Sequence, residues 1–144
     1  MHQSPRLHAP FKFAHRLRVR FAETDAQEVV NNAAYFVYLE TARIEYMRHL
    51  GILGSFNQTV AEACIQYRAP ARFDDLLDCA CRAVRLGTTS VRLEYMLREV
   101  AGDRLIATGH SVQVVLGPDR RPMAIPAALR TRLTKLEGAD LEVA

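Results

Sequence analysis

Asp25 is the side chain in this sequence best placed to do chemistry. It lies in the short acidic stretch Glu23-Thr24-Asp25-Ala26-Gln27-Glu28, between an alternating segment that ends near Phe21 and a long apolar run that starts at Ala33. A carboxylate held between two regular elements is positioned yet still able to reach a ligand. Asn31 and Asn32 stand where N-cap residues belong, just ahead of the apolar run. The first backbone N–H groups of such a helix have no partner within it, and they carry the positive end of its dipole back towards the Asp25 loop. This juxtaposition suits attack on a carbonyl, or activation of a water, with a backbone N–H holding the oxyanion that develops. The competing reading of an Asp before a helix is a plain loop or capping carboxylate.

Other catalytic sets are missing from the sequence. Gly109-His110-Ser111-Val112-Gln113 lacks the last glycine of a nucleophile elbow and falls within a strand pattern. No phosphate-binding or dinucleotide-binding glycine motif occurs. The histidines are His2, His8, His15, His49 and His110, none of them beside Asp25. Of the three cysteines, Cys79 and Cys81 share one face of a strand and Cys64 stands alone. They read as small buried hydrophobes, so no metal site and no disulfide framework is expected. Free thiols fit a reducing cytoplasm, the expected location.

The elements that would position Asp25 follow from periodicity. Phe11, Phe13, Leu17, Val19 and Phe21 alternate with Arg16, Arg18 and Arg20, predicting a half-exposed strand. From Ala33 to Leu50 the spacing predicts one helix close to 20 residues long, above the average of about 11–12, with Gly51 as its stop. Its first half is apolar all round, so it should be surrounded. Glu40 and Arg43, three apart, are expected to pair with each other, the alternative being that Glu40 faces the site of a second copy. Period-two patterns then predict strands over 60–68, 78–86, 90–100 and 105–116, with turns at Gly87-Thr88-Thr89 and Ala101-Gly102-Asp103. Gly109 suggests a bulge or a close contact. A short helix opens at Pro126, carries Leu129, Leu133 and Leu136, and ends at Gly138. The sum is an α+β chain with short strand connections and antiparallel neighbours. It divides into a flexible tail over residues 1–10 and a single domain over 11–144.

With 144 residues and 49% hydrophobic content the chain can bury a core, and 24% charged residues is an ordinary globular share. No apolar run is long enough for a membrane span. The net charge of +3 suits solubility, or the gathering of a polyanion such as coenzyme A. There is no aromatic–basic interleaving, helix-turn-helix pattern or cysteine finger, so nucleic acid is not an expected partner.

Glu23-Thr24-Asp25-Ala26-Gln27, with Val29-Val30-Asn31-Asn32-Ala33-Ala34-Tyr35-Phe36 and Tyr38-Leu39-Glu40-Thr41-Ala42-Arg43, resembles the signature of hotdog-fold acyl-CoA thioesterases. It is closest to their para-hydroxybenzoyl-CoA and Tol-Pal-associated branch. The resemblance implies an antiparallel five-stranded sheet wrapped around one long central helix, with a short C-terminal helix. It implies Asp25 as nucleophile or general base and the backbone N–H of Asn32 as the carbonyl-polarising donor. Asn31, Tyr35, Arg68 and Arg72 are the expected substrate-binding residues. Arg85, Arg120 and Arg121 are further candidates for phosphate contacts. The implied substrate is an acyl-CoA or acyl-carrier-protein thioester, with coenzyme A entering only as part of it and no other cofactor. The implied assembly is a homodimer or homotetramer whose site is completed by a second copy. Two departures matter. Val30 stands where hotdog hydratases carry His, which argues against dehydration. Glu28 stands where the thioesterases usually carry Gly, so the loop is expected to be shaped differently. The rival reading is a non-hydrolytic acyl-CoA or carrier-binding protein.

Overall fold

The computed structural model describes residues 4–144. In chain order its elements are β1 (Ala14–Arg18), a 3-10 turn (Phe21–Glu23), α1 (Ala34–His49), β2 (Asn57–Tyr67), β3 (Leu76–Leu86), β4 (Ser90–Glu99), β5 (Arg104–Leu116), α2 (Ala127–Glu137), a second 3-10 turn (Gly138–Asp140) and β6 (Glu142–Val143). The strands form one sheet in the order β1-β3-β4-β5-β2. Those five pair antiparallel, while β6 runs parallel to β3 at Arg85 and Leu86. The sheet therefore has six strands where five were expected. β6 is two residues long, too short to leave a periodic signal.

The order also corrects a topological expectation. β2 pairs with β5 and not with β3, so residues 68–75 cross from one edge of the sheet back towards β1. This crossover runs beside the end of β1, where Val19 donates to Asp75 O (2.8 Å) and its carbonyl accepts the Asp74 N–H (3.1 Å). Those bonds end β1 at Arg18, short of the predicted strand, and turn the chain into the Phe21–Glu23 turn.

Helix α1 has 16 residues, not about 20. It starts late because the Asn31 side chain accepts the Ala33 N–H (2.8 Å), turning residues 31–33 before the α ladder begins. It stops where Gly51 predicts. Gly51 adopts φ +74°, its N–H reaches Arg48 O (3.0 Å), and the Ile52 N–H reaches Met47 O (3.1 Å), a Schellman closure.

The helix buries Tyr35, Tyr38, Leu39, Ala42, Tyr46 and Met47 against Leu77, Cys79, Cys81 and Ala83 of β3 and Val91, Leu93, Tyr95 and Leu97 of β4. Burial of each such Leu side chain contributes about 1.5–3 kcal/mol. At the far end Tyr46 donates to Glu137 Oε2 (2.5 Å), and both receive the Ala83 N–H (3.1 and 3.3 Å), joining α1, α2 and β3. The opposite face of α1 is open in the single chain, with Phe36 42% and Val37 52% exposed, so one copy does not surround the helix as its composition predicts. Glu40 and Arg43 do not pair with each other. Glu45 and Arg48 do, at 3.2 Å.

The expectation at Gly109 is met. At Gly109 a Cβ would meet Cys64 O at 2.7 Å, so the glycine permits close approach of β2 and β5. The bulge itself lies at Ala61, between Val60 and Glu62. Of the tail, residues 1–3 lie outside the described residues. Further along, the Arg6 N–H donates to the buried Asp78 carboxylate (2.9 Å), which Arg16 also grips with two bonds (2.7 and 2.9 Å).

Candidate active site

The stretch from Thr24 to Val30 folds into a tiny hairpin. Thr24 and Val30 form an antiparallel bridge, the Asp25 N–H donates to Val29 O (2.9 Å), and the Glu28 N–H donates to Asp25 O (2.9 Å). Glu28 adopts φ +65°. A tight turn followed by a left-handed residue is a common three-residue hairpin loop, and glycine is its cheapest occupant. The expectation that Glu28 reshapes the loop is thus answered: glutamate takes up the left-handed conformation itself. Asp25 sits at the mouth of this loop, exposed, with Oδ1 accepting the Gln27 N–H (2.8 Å). It lines a cavity of about 400 Å³ with Phe21, Thr24, Glu28, Arg72 and Phe73.

The base of the hairpin is tied down on two sides. On one side the Val30 N–H reaches Ala71 O (2.8 Å). On the other, Glu23 O accepts the Asn31 N–H (2.8 Å), and the Glu23 carboxylate accepts the Arg20 N–H (2.8 Å), Arg20 Nε (3.1 Å) and the Tyr38 hydroxyl (2.8 Å). Burial pushes the Glu23 pKa up, but these donors outweigh it and hold the carboxyl below its ordinary value. Burial first, and then the Glu23 carboxylate, raise the Tyr38 phenol, which keeps it a donor.

At the helix mouth the Asn31 carbonyl accepts the Ala34 N–H (2.9 Å). In a trans peptide N–H and C=O point in opposite directions, so the Asn32 N–H faces away from the helix. Among the described residues it has no acceptor. The next carbonyl, Asn32 O, accepts the Tyr67 hydroxyl (3.0 Å). Asn32 lines a cavity of about 260 Å³ with Val29, Val30, Tyr35, Tyr67, Arg68, Ala69 and Pro70. Tyr35 is buried, its hydroxyl accepting the Ala71 N–H (3.2 Å) and its ring packed edge-on to Tyr67.

The expected site residues therefore fall into two neighbouring hollows. Asn32, Tyr35 and Arg68 share one, Asp25 and Arg72 share the other, and Asn31 lines neither. In the single chain Asp25 and the Asn32 N–H do not open on the same cavity. Sequence reasoning missed Tyr67, which sits at the end of an edge strand and carries no motif. It also missed the exposed edge-to-face pair Phe21–Phe73, centroids 5.7 Å apart, because residue 73 arrives through the crossover. Among the described residues, no cluster of three or more His, Cys, Asp or Glu could hold a metal ion, and no helix is long and apolar enough to cross a membrane.

The model of the family described as the thioesterase-like superfamily matches residues 19–133. The chain belongs to the thioesterase-like superfamily. It is 30% identical over 125 residues to the acyl-CoA thioester hydrolase YbgC of Escherichia coli O6:H1, covering 78% of this chain and 89% of that one. A putative esterase of Aquifex aeolicus is 31% identical over 91 residues, 59% of this chain and 71% of the other. A thioesterase of Thermus thermophilus, solved in complex with coenzyme A and Zn, superposes with TM-score 0.83 at 33% identity, covering 91% of this chain and 98% of that one. This thioesterase-family chain has the hotdog fold, and its reaction class is thioester hydrolysis.

Proposed function

We propose that the protein hydrolyses acyl-CoA thioesters to the free acid and coenzyme A, with Asp25 as nucleophile or general base and the Asn32 N–H as oxyanion donor. One observation carries this reading. The Asp25 carboxylate is held on a closed hairpin that runs on through Asn31 into the turn before α1, where the Asn32 N–H is left without a partner among the described residues. Attack by Asp25 on the thioester carbonyl would give an acyl–carboxylate anhydride and coenzyme A thiolate, and water would then release the acid. As a base, Asp25 would instead take a proton from the attacking water. Either route develops negative charge on the carbonyl oxygen, and loss of one oxyanion donor typically costs about 2.7–4 kcal/mol in the barrier.

A second copy completes the site in this proposal. β2 is an edge strand of 11 residues with Val60 48% and Tyr67 46% exposed, and the open face of α1 adds Phe36 and Val37. An edge of that length is a template for strand pairing, and pairing would cover these apolar residues, Tyr67 beside the Asn32 hollow among them. Arg68 and Arg72, one in each hollow, are the proposed contacts for coenzyme A phosphates. The binding-only alternative relies on Glu28 spoiling the loop; the left-handed Glu28 supports a turn that closes without glycine.

The test is release of free thiol from a panel of short-chain, long-chain and aromatic acyl-CoAs and from an acyl carrier protein thioester. Asp25→Asn keeps an oxygen for the Gln27 N–H and so keeps the loop, yet it should lower hydrolysis at least about a hundredfold. Near wild-type turnover in that variant removes Asp25 from the mechanism. Binding without turnover on every substrate favours the binding protein.

A further inference from the structure

Among the described residues, every hydrogen bond that Asp25 makes stays inside its own loop, to Gln27, Glu28 and Val29. Its place relative to the Asn32 N–H is therefore set by the two-residue chain link through Asn31 and by what holds the hairpin base. The bonds that do so are Val30 N–H to Ala71 O, Asn31 N–H to Glu23 O, the Thr24 N–H and hydroxyl to Phe21 O, and the Tyr38 hydroxyl to the Glu23 carboxylate. Only the last joins the hairpin to the body of α1 through side chains. Tyr38 lies one turn inside the helix, 2% exposed, its ring edge-on to Tyr35 at 5.8 Å. The Glu23 side chain is 13% exposed and receives two further donors from Arg20. A phenol bonded to a largely buried carboxylate is a short, directional, charge-assisted contact, stiffer than apolar packing between the same elements would be.

We propose that Tyr38 and Glu23 are positioning residues for thioester hydrolysis: their hydrogen bond locks the Asp25 hairpin to helix α1 and so fixes where the carboxylate stands relative to the Asn32 N–H. The inference rests on the thioesterase reading of Asp25. Neither residue needs to touch the substrate. Misplacement of a reacting group by about 1 Å costs on the order of a hundredfold in rate, so a slack latch acts on kcat.

The experiment compares Tyr38→Phe, Glu23→Ala and Glu23→Gln with the wild type. Tyr38→Phe keeps the ring and deletes only the hydroxyl. Glu23→Gln keeps a carbonyl oxygen for the Tyr38 hydroxyl and the Arg20 N–H. Expected are a fall in kcat of about 10–100-fold for Tyr38→Phe and Glu23→Ala, with KM within about threefold, and recovery in Glu23→Gln to within about fivefold of wild type. Amide hydrogen exchange over residues 24–31 should quicken at least about tenfold in Tyr38→Phe while the centre of α1 and β3 keeps its protection. Wild-type kcat in Tyr38→Phe, unchanged exchange over 24–31, or a uniform rise across α1 and β3 overturns the proposal, the last because it marks general destabilisation. Should the wild type hydrolyse no thioester, the proposed function fails, and the exchange comparison still decides whether the latch holds the loop.

Discussion

Glu28→Gly puts the hairpin geometry to a quantitative test. Glu28 stands at φ +65° and is exposed, and among the described residues its carboxylate makes no hydrogen bond, so the side chain contributes little beyond its backbone preference. An L-residue in the left-handed region costs about 1–2 kcal/mol. Replacing it with glycine removes that strain but frees the unfolded chain by about 0.4–1 kcal/mol. The difference is a net stabilisation centred near 0.8 kcal/mol, or about 2–3 °C in Tm for a chain of this size. Urea unfolding at fixed protein concentration is the assay, with the midpoint rising and the m-value unchanged. Glu28→Val is the control: a β-branched residue resists positive φ and should lower the stability by about 1 kcal/mol. Thioester hydrolysis by Glu28→Gly should stay within about twofold of wild type, because the loop keeps its shape. A glycine variant that loses more than about 0.5 kcal/mol, or a valine variant that loses nothing, would refute the left-handed turn on which the placement of Asp25 depends.

Three further outcomes are expected. Asn32→Ala retains the backbone N–H, so hydrolysis should remain within about threefold of wild type and far above Asp25→Asn; a loss as large as that of Asp25→Asn would move the oxyanion role to a side chain. Gly109→Ala drives a Cβ to 2.7 Å from Cys64 O and should cost about 1–3 kcal/mol in chemical denaturation, an unchanged midpoint contradicting the close β2–β5 approach. The Glu23 carboxyl, held below its ordinary value of 4.5, contributes stability that is present above that value and lost as pH falls through the lower folded one. The stability gap between wild type and Glu23→Gln should therefore narrow as pH drops below about 4.5, and a constant gap would argue against those donors.

Much of the fold is legible in the sequence because its signals are local. Period two marks β2 to β5, Gly51 marks the end of α1, and Pro126 and Gly138 bracket α2. Strand order is not legible. The pairing of β2 with β5 depends on where residues 68–75 travel, and no short-range pattern encodes that path. The start of α1 is hidden as well, because Asn31 caps a preliminary turn and not the first α turn. The apolar first half of the helix reads as surrounded, but Phe36 and Val37 find no cover within one chain. In the candidate site, the motif locates Asp25 and Asn32. The residues that hold them, Tyr67 across from Asn32 and Tyr38 beneath Glu23, are meetings of distant segments and are invisible to spacing. Glu28 reads as a departure with consequences for the loop. Its backbone, not its side chain, is what the turn uses.

The cysteines bear on how this enzyme can be measured. Burial, with the Asp78 and Glu137 carboxylates nearby, pushes the Cys79 and Cys81 thiols up and seals them from water-borne reagents, while Cys64 on β2 is only half covered. A disulfide-exchange dye that counts liberated coenzyme A would thus register one accessible thiol per native chain as its background, and three once the chain melts. The same cuvette that reports turnover would report whether the catalyst is still folded.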